Sequence, residues 1–120
     1  MKTFANLKSG DRIWIIKVER SYMSSEFIEA IIEENHPEHY EARVAVLDDG
    51  IPTTKIEIVD YFRAEKDSDR YEGDLFNRES YYLNKHDAKE RYLKVLDQHE
   101  EYARNFLEQV KNERTRILNL

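Results

Sequence analysis

The stretch SYYLNKHDAKERYLKVLDQHEEYARNFLEQVKNERTRIL, residues 80–118, decides the fold because it changes from a strand pattern to a helix pattern within a few residues. Tyrosine and leucine at 81–83 are typical of a short closing strand. Asn84 then stands where a helix N-cap belongs, and Asp87 favours the first turn. Residues 85–118 contain no glycine or proline. The sequence therefore predicts one helix of about 50 Å.

This predicted helix carries an apolar seam with the spacing of a heptad repeat. Steps of four and three residues join Tyr92, Leu96, His99, Ala103, Phe106, Val110 and Ile117, with Glu113 as a polar interruption. A small domain is only about 30 Å across, so it cannot cover the whole helix. We therefore expect residues 85–120 to drive homo-oligomerisation, most simply as a dimer, or to bind another protein.

Upstream of the helix, alternating apolar residues predict a β-rich domain over residues 1–84. On the strand predicted at 12–19, Trp14 and Ile16 fall on one face while Ile13 and Ile15 fall on the other, which indicates cover on both sides. Further strands are predicted at 40–47, 53–62 and 80–83. Asp48-Asp49-Gly50 is a strong turn signal, and Pro52 is expected to stop pairing locally.

Residues 26–34 fit two structures. Phe27, Ile28 and Ile31 have helical spacing, whereas Ile28, Ala30 and Ile32 would share one face of a strand. The turn-like residues 35–39 and the β-formers that follow favour the strand, because a hairpin would join the two segments.

The polar segment 64–79 is predicted to be a long loop. Connections of this length in a compact domain are usually functional or mobile. Tyr71, Leu75 and Phe76 indicate that part of the loop folds back onto the domain.

Three motifs occur together: Leu7-Lys8-Ser9-Gly10-Asp11-Arg12-Ile13-Trp14, the hairpin around Asp48-Asp49-Gly50, and the junction Tyr81-Tyr82-Leu83-Asn84-Lys85-His86-Asp87-Ala88. With them the chain resembles the small SH3-like barrel proteins of phages and prophages, in which the last strand runs into a helix. The resemblance implies an α+β chain with an antiparallel barrel of about four to five strands. It implies no particular activity.

The composition of the chain limits the activities and ligands that we expect for it. The chain has no cysteine, three glycines and a net charge of −6, and residues 1–62 alone carry 7 basic and 12 acidic side chains. We expect no enzyme, no metal and no cofactor, since no phosphate-binding glycine loop or catalytic motif occurs. Nucleic-acid binding is disfavoured because it depends on lysine and arginine neutralising phosphates. The one candidate basic cluster is Arg104, Lys111, Arg114 and Arg116.

The chain has eight tyrosines, five phenylalanines and one tryptophan, which is many for so polar a sequence. Aromatic side chains are enriched at protein interfaces. Tyr22, Tyr40, Tyr61 and Tyr71 are therefore candidate partner-binding residues, the alternative being that they fill the ends of a barrel.

We expect a soluble, cytoplasmic protein, because no signal-peptide pattern or span of about 20 apolar residues occurs. The leading hypothesis is a non-enzymatic protein–protein interaction module, with a phage-encoded inhibitor of a host protein as one form that it could take. The alternatives are a nucleic-acid-binding small barrel and capture of a small ligand, such as a nucleotide, at an oligomer interface.

Overall fold

The computed structural model describes residues 2–19, 24–73 and 78–120. These residues form six strands and one long helix. The elements are β1 (Arg12–Val18), β2 (Ser25–His36), β3 (Glu41–Asp48), β4 (Ile51–Asp60), β5 (Arg70–Tyr71), β6 (Glu79–Tyr82) and α1 (Lys85–Leu118), with short 3-10 turns at Phe4–Asn6 and Pro37–His39.

The six strands form one antiparallel sheet in the order β4-β3-β2-β1-β6-β5. The α+β class is confirmed, but the expected closed barrel of four to five strands is not what the described residues form. No ladder joins the edge strands β4 and β5 among them, so the sheet is open. The segment 26–34, which fitted both a helix and a strand, lies within β2.

Two local predictions about β4 had different outcomes. The turn at Asp49 and Gly50 is present, and both residues have positive φ, 50° and 78°, as a tight two-residue hairpin requires. The expected interruption at Pro52 was wrong, because β4 begins at Ile51 and Pro52 faces Leu47 in the ladder. An edge strand tolerates proline, since the missing N–H would have pointed away from the sheet.

The sheet is strongly coiled. Lys17 of β1 and Glu57 of β4 are separated by two strands, which is about 14 Å across a flat sheet. Nevertheless, the Lys17 Nζ atom lies 3.1 Å from both carboxylate oxygens of Glu57. Irregularities between Ile32 and Glu34 and between Ala45 and Leu47 add to the bending.

Coiling encloses a core on the concave face of the sheet. This core consists of Phe4, Leu7, Ile13, Ile15, Ile28, Ala30, Ile32, Ala42, Val44, Val59, Tyr61 and Tyr81. One end is closed by the ring of Phe4, which stacks on Tyr61 at 5.0 Å. The Asn35 side chain links Phe4 to Tyr61. Its amide nitrogen donates to the carbonyl of Phe4 at 2.8 Å, and its amide oxygen accepts from the Tyr61 hydroxyl at 2.8 Å.

The segment 64–79 is partly built into the fold. Its first half accepts two backbone hydrogen bonds from the N-terminus: the N–H of Phe4 donates to the carbonyl of Ser68, and the N–H of Ala5 donates to that of Lys66. Strand β5 also lies in this segment and pairs with β6. Leu75 and Phe76, which were expected to fold back, lie outside the described residues.

The helix packs on the convex face of the sheet, where Trp14, Ile16 and Tyr82 meet Ala88. Strand β1 is therefore covered on both faces, as its alternation predicted. The predicted N-cap is confirmed, since the Asn84 side chain accepts from the N–H of Asp87 at 3.1 Å. Arg70 of β5 adds an ion pair to Asp87 at 2.7 Å.

Candidate interaction surface on the C-terminal helix

The helix is longer than the sheet it packs on. Its 34 residues span about 51 Å. The protein measures 64 × 29 × 22 Å, so the helix extends well beyond the sheet. We call residues 85–99 the proximal half of α1 and residues 100–120 the distal half.

The proximal half is held by apolar side chains that face the sheet. Ala88 is fully buried and Val95 is 4% exposed. Tyr92 lies between them in sequence, packs its ring 5.3 Å from that of Phe27 and places its hydroxyl 3.0 Å from the Ser25 Oγ atom. Burying a valine or larger side chain contributes about 1.5–3 kcal/mol, so these contacts stabilise the proximal half.

His99 marks the end of the sheet contact. The side chain is half-buried, and both ring nitrogens are shielded from solvent without a hydrogen-bond partner among the described residues. A buried polar atom without a partner costs free energy. The polar atoms of His99 are therefore less well hydrogen-bonded than the hydroxyl of Tyr92.

The distal half has no cover from the other residues that the structure describes. Every residue from 100 to 120 is exposed. The exposed apolar side chains here are Tyr102, Phe106, Leu107, Val110, Ile117, Leu118 and Leu120. Phe106 is 53% exposed and Ile117 is 51% exposed, which is unusual for large apolar residues set at regular spacing.

The exposed apolar row continues the row that packs on the sheet. Residues three and four apart lie on one side of a helix. Positions 88, 92, 95 and 99 form the sheet-facing row. Positions 103, 106, 110 and 117 continue it on the same side of the helix, with Glu113 between the last two. The same side of α1 is thus covered by the sheet at one end and bare at the other.

The predicted seam divides between these two environments. Tyr92 contacts the sheet and belongs to the proximal half. Leu96 is 42% exposed at the flank of the sheet contact, and His99 sits at its end. Ala103, Phe106, Val110 and Ile117 lie together in the exposed distal half.

Charges of both signs surround the distal apolar row. Arg104 bonds Glu100 at 2.6 Å and Arg116 bonds Glu113 at 2.7 Å, each within the helix. Two members of the candidate basic cluster are therefore already neutralised by glutamates. The pattern is that of a solvated flank of mixed charge beside an apolar seam.

The four candidate partner-binding tyrosines have different environments. Tyr61 is fully buried, which assigns its ring to the core. Tyr40 is half-buried against Tyr61 and Phe62, with the Lys66 Nζ atom 4.4 Å from its ring. Tyr71 packs 6.0 Å from Tyr81, and Tyr22 lies outside the described residues.

Four large apolar residues that the structure describes outside the distal half and outside the predicted seam are also exposed: Ile51, Ile58, Phe62 and Leu93. Phe62 is 69% exposed just after β4, and Leu93 is 60% exposed beside Phe27 and Tyr92. Phe62 and Leu93 lie within predicted elements, so periodicity alone gave no sign that they would stay exposed.

The two buried tyrosines of β6 are held in their neutral, protonated form. Burial and a bond to Glu79 at 2.6 Å raise the pKa of Tyr81, and burial and a bond to Glu72 at 2.8 Å raise the pKa of Tyr82. A phenol held this firmly protonated is a poor acid or base at neutral pH.

Within residues 2–19, 24–73 and 78–120, no three side chains of the metal-binding types come together. No helix in this part of the chain is long and apolar enough to cross a membrane. Comparison of the chain with protein families, with curated proteins and with solved structures gave no match.

Proposed function

We propose that the chain is a non-enzymatic protein–protein interaction module that self-associates, most simply as a dimer, through the distal half of α1. The observation that supports this is the bare apolar row at 103, 106, 110 and 117. It continues a row that the sheet buries, and it is the part of the helix for which residues 2–19, 24–73 and 78–99 supply no cover.

The stability of the distal half supports the same proposal. Most helical stability in proteins comes from packing of an apolar face, and the distal half lacks such packing in the single chain. A partner that covers the apolar row would supply the packing that the sheet supplies to the proximal half. A second copy suits this role, since it brings an identical row and equal numbers of basic and acidic residues between 100 and 120.

For the sheet domain we propose a relation to SH3-like barrels and a second, acidic binding surface. The coiling that brings Lys17 to Glu57 supports the first, as does the direct passage of β6 into α1. The acidic excess in residues 1–62 supports the second, since such a surface suits a basic partner. A phage-encoded inhibitor of a host protein would fit these features.

The self-association is tested by Phe106→Asp. A carboxylate in the apolar row would have to be desolvated on association, so the variant should be monomeric. Light scattering coupled to size exclusion should give about twice 14.5 kDa for the parent chain and 14.5 kDa for the variant.

Asn105→Asp is the matched control. It adds the same charge one residue away, about 100° around the helix from the apolar row. This variant should associate like the parent chain. A parent chain that is monomeric at concentrations of about 100 μM, or a Phe106→Asp variant of unchanged mass, would rule the proposal out.

A further inference from the structure

We propose that the two distal halves pair antiparallel, crossing near Leu107, with Glu100 of each helix facing the partner's Arg114. This inference rests on the proposed self-association and adds the orientation and the register. Three features of the structure carry it: the position of the sheet, the single acidic residue in the seam, and the charges at its flanks.

The position of the sheet excludes a parallel, in-register pair. The sheet covers the same side of α1 that carries the distal apolar row, as Ala88 and Val95 show. Paired helices lie only about 8–10 Å apart. In a parallel pair both sheets would have to occupy the space between the two proximal halves. An antiparallel pair places the sheets at opposite ends, where each lies beyond the C-terminus of the other helix.

The acidic residue in the seam favours the same orientation. In a parallel pair, equivalent positions face each other, so Glu113 would meet the partner's Glu113 in the interface. Two carboxylates at such a site repel each other, and both lose their hydration when the helices associate. In an antiparallel pair crossing between residues 107 and 109, Glu113 lies opposite the partner's Ala103, whose small side chain leaves it open to solvent. Phe106 then packs against the partner's Val110.

The flanking charges set the register. With this crossing point, residues that flank the seam on one side pair as Glu100 with the partner's Arg114, twice by symmetry, and Leu107 with the partner's Leu107. All three side chains are exposed in the single chain, where Glu100 also bonds Arg104 at 2.6 Å; a carboxylate can accept from two guanidinium groups at once. The overlap covers residues 96–120 and therefore begins within the last turn of the sheet contact, at Leu96, which is 42% exposed.

Orientation is tested by disulfide trapping, because the chain has no cysteine of its own. Leu107→Cys places two thiols side by side in the proposed pair, so mild oxidation should give a covalent dimer. Ile117→Cys places them about 28 Å apart in the proposed pair and side by side in a parallel one. The expected result is efficient crosslinking of the first variant and none of the second. The molar mass of each variant is measured by light scattering under reducing conditions, to establish that it still dimerises without a disulfide.

The outcomes separate this inference from the proposed function. A dimer in which Ile117→Cys crosslinks overturns the antiparallel orientation and leaves self-association standing. A dimer in which neither variant crosslinks overturns the register. A monomeric parent chain overturns self-association itself, and this inference with it.

A charge exchange tests the register independently of cysteine. Arg114→Glu sets two glutamates against each other at both symmetry-related pairs, and should weaken the dimer about threefold to tenfold at low salt, as exposed ion pairs do. Adding Glu100→Arg should restore the parent affinity. Lys111→Glu, which makes the same charge change away from the seam, is the control. A double variant no tighter than Arg114→Glu alone overturns the pairing.

Discussion

The proximal and distal halves of α1 have the same kind of sequence and opposite surroundings. Both carry apolar residues every three or four positions, and both have charged residues elsewhere. In the proximal half Val95 is 4% exposed, whereas in the distal half Val110 is 39% exposed. The difference shows that periodicity identifies the apolar face of a helix. It does not identify what packs against that face.

The largest effect is expected when the same substitution is made in both halves. Val95→Asp places a carboxylate at a position that is 4% exposed, so it should lower the free energy of unfolding by about 3–5 kcal/mol. Urea denaturation followed by circular dichroism measures this. If the midpoint of Val95→Asp equals that of the parent chain, the proximal half does not depend on the sheet.

Val110→Asp is the counterpart in the distal half. Its side chain is exposed in the single chain, so the monomer should keep its stability within about 0.5 kcal/mol. The measurement is made at a concentration low enough for the parent chain to dissociate. Only the concentration-dependent part of the stability should disappear in this variant.

Alkaline pH should act on the sheet and spare the distal half. Burial and the bond to Glu79 raise the pKa of Tyr81, so the unfolded chain loses this proton before the folded one. The stabilisation is complete below pH 10 and is lost as the pH rises above it, at about 1.4 kcal/mol per pH unit for this group. Thermal melts between pH 8 and 11 should therefore show a falling midpoint.

Tyr81→Phe removes this titration, so the fall in midpoint above pH 10 should be shallower than in the parent chain. Tyr102→Phe changes an exposed ring in the distal half and should leave the profile unaltered. Parallel profiles for Tyr81→Phe and the parent chain would show that Tyr81 is not the group responsible.

The smallest effect is expected at the boundary between the halves. His99→Leu replaces two shielded nitrogens that lack partners among the described residues by apolar atoms, and leucine is the better helix former. The variant should gain about 0.5–1 kcal/mol of stability. His99→Gln, which keeps a polar side chain, serves as the control. A loss of stability in His99→Leu would mean that the ring is hydrogen-bonded in solution, for example to water.

The sequence predicted the regular parts of the fold because each had a local cause. Alternation placed β1 between two layers, the Asp49-Gly50 turn set the hairpin, and Asn84 set the start of the helix. The strand count failed at β5, whose two residues are too few to show a period. Barrel closure could not be read either, because it depends on how far the sheet coils and on which edges pair, and neither is local.

The seam on α1 was likewise predictable as a pattern, and its division at His99 was not. The sheet is wide enough to cover about four turns of helix, and that width follows from the assembled strands. Tyr61 shows the same limit on the other side of the sheet. Its identity suggested an interface, but the Asn35 amide satisfies its hydroxyl inside the core.

Only Leu83 and Asn84 separate β6 from α1, and the ion pair between Arg70 and Asp87 ties the first turn of the helix to β5. This short, ion-paired connection fixes the orientation of each helix relative to its own sheet. Two chains joined by their distal halves would hold their sheet domains at one set spacing. A target with two sites at that spacing would then gain avidity from both at once, and a target with any other spacing would not.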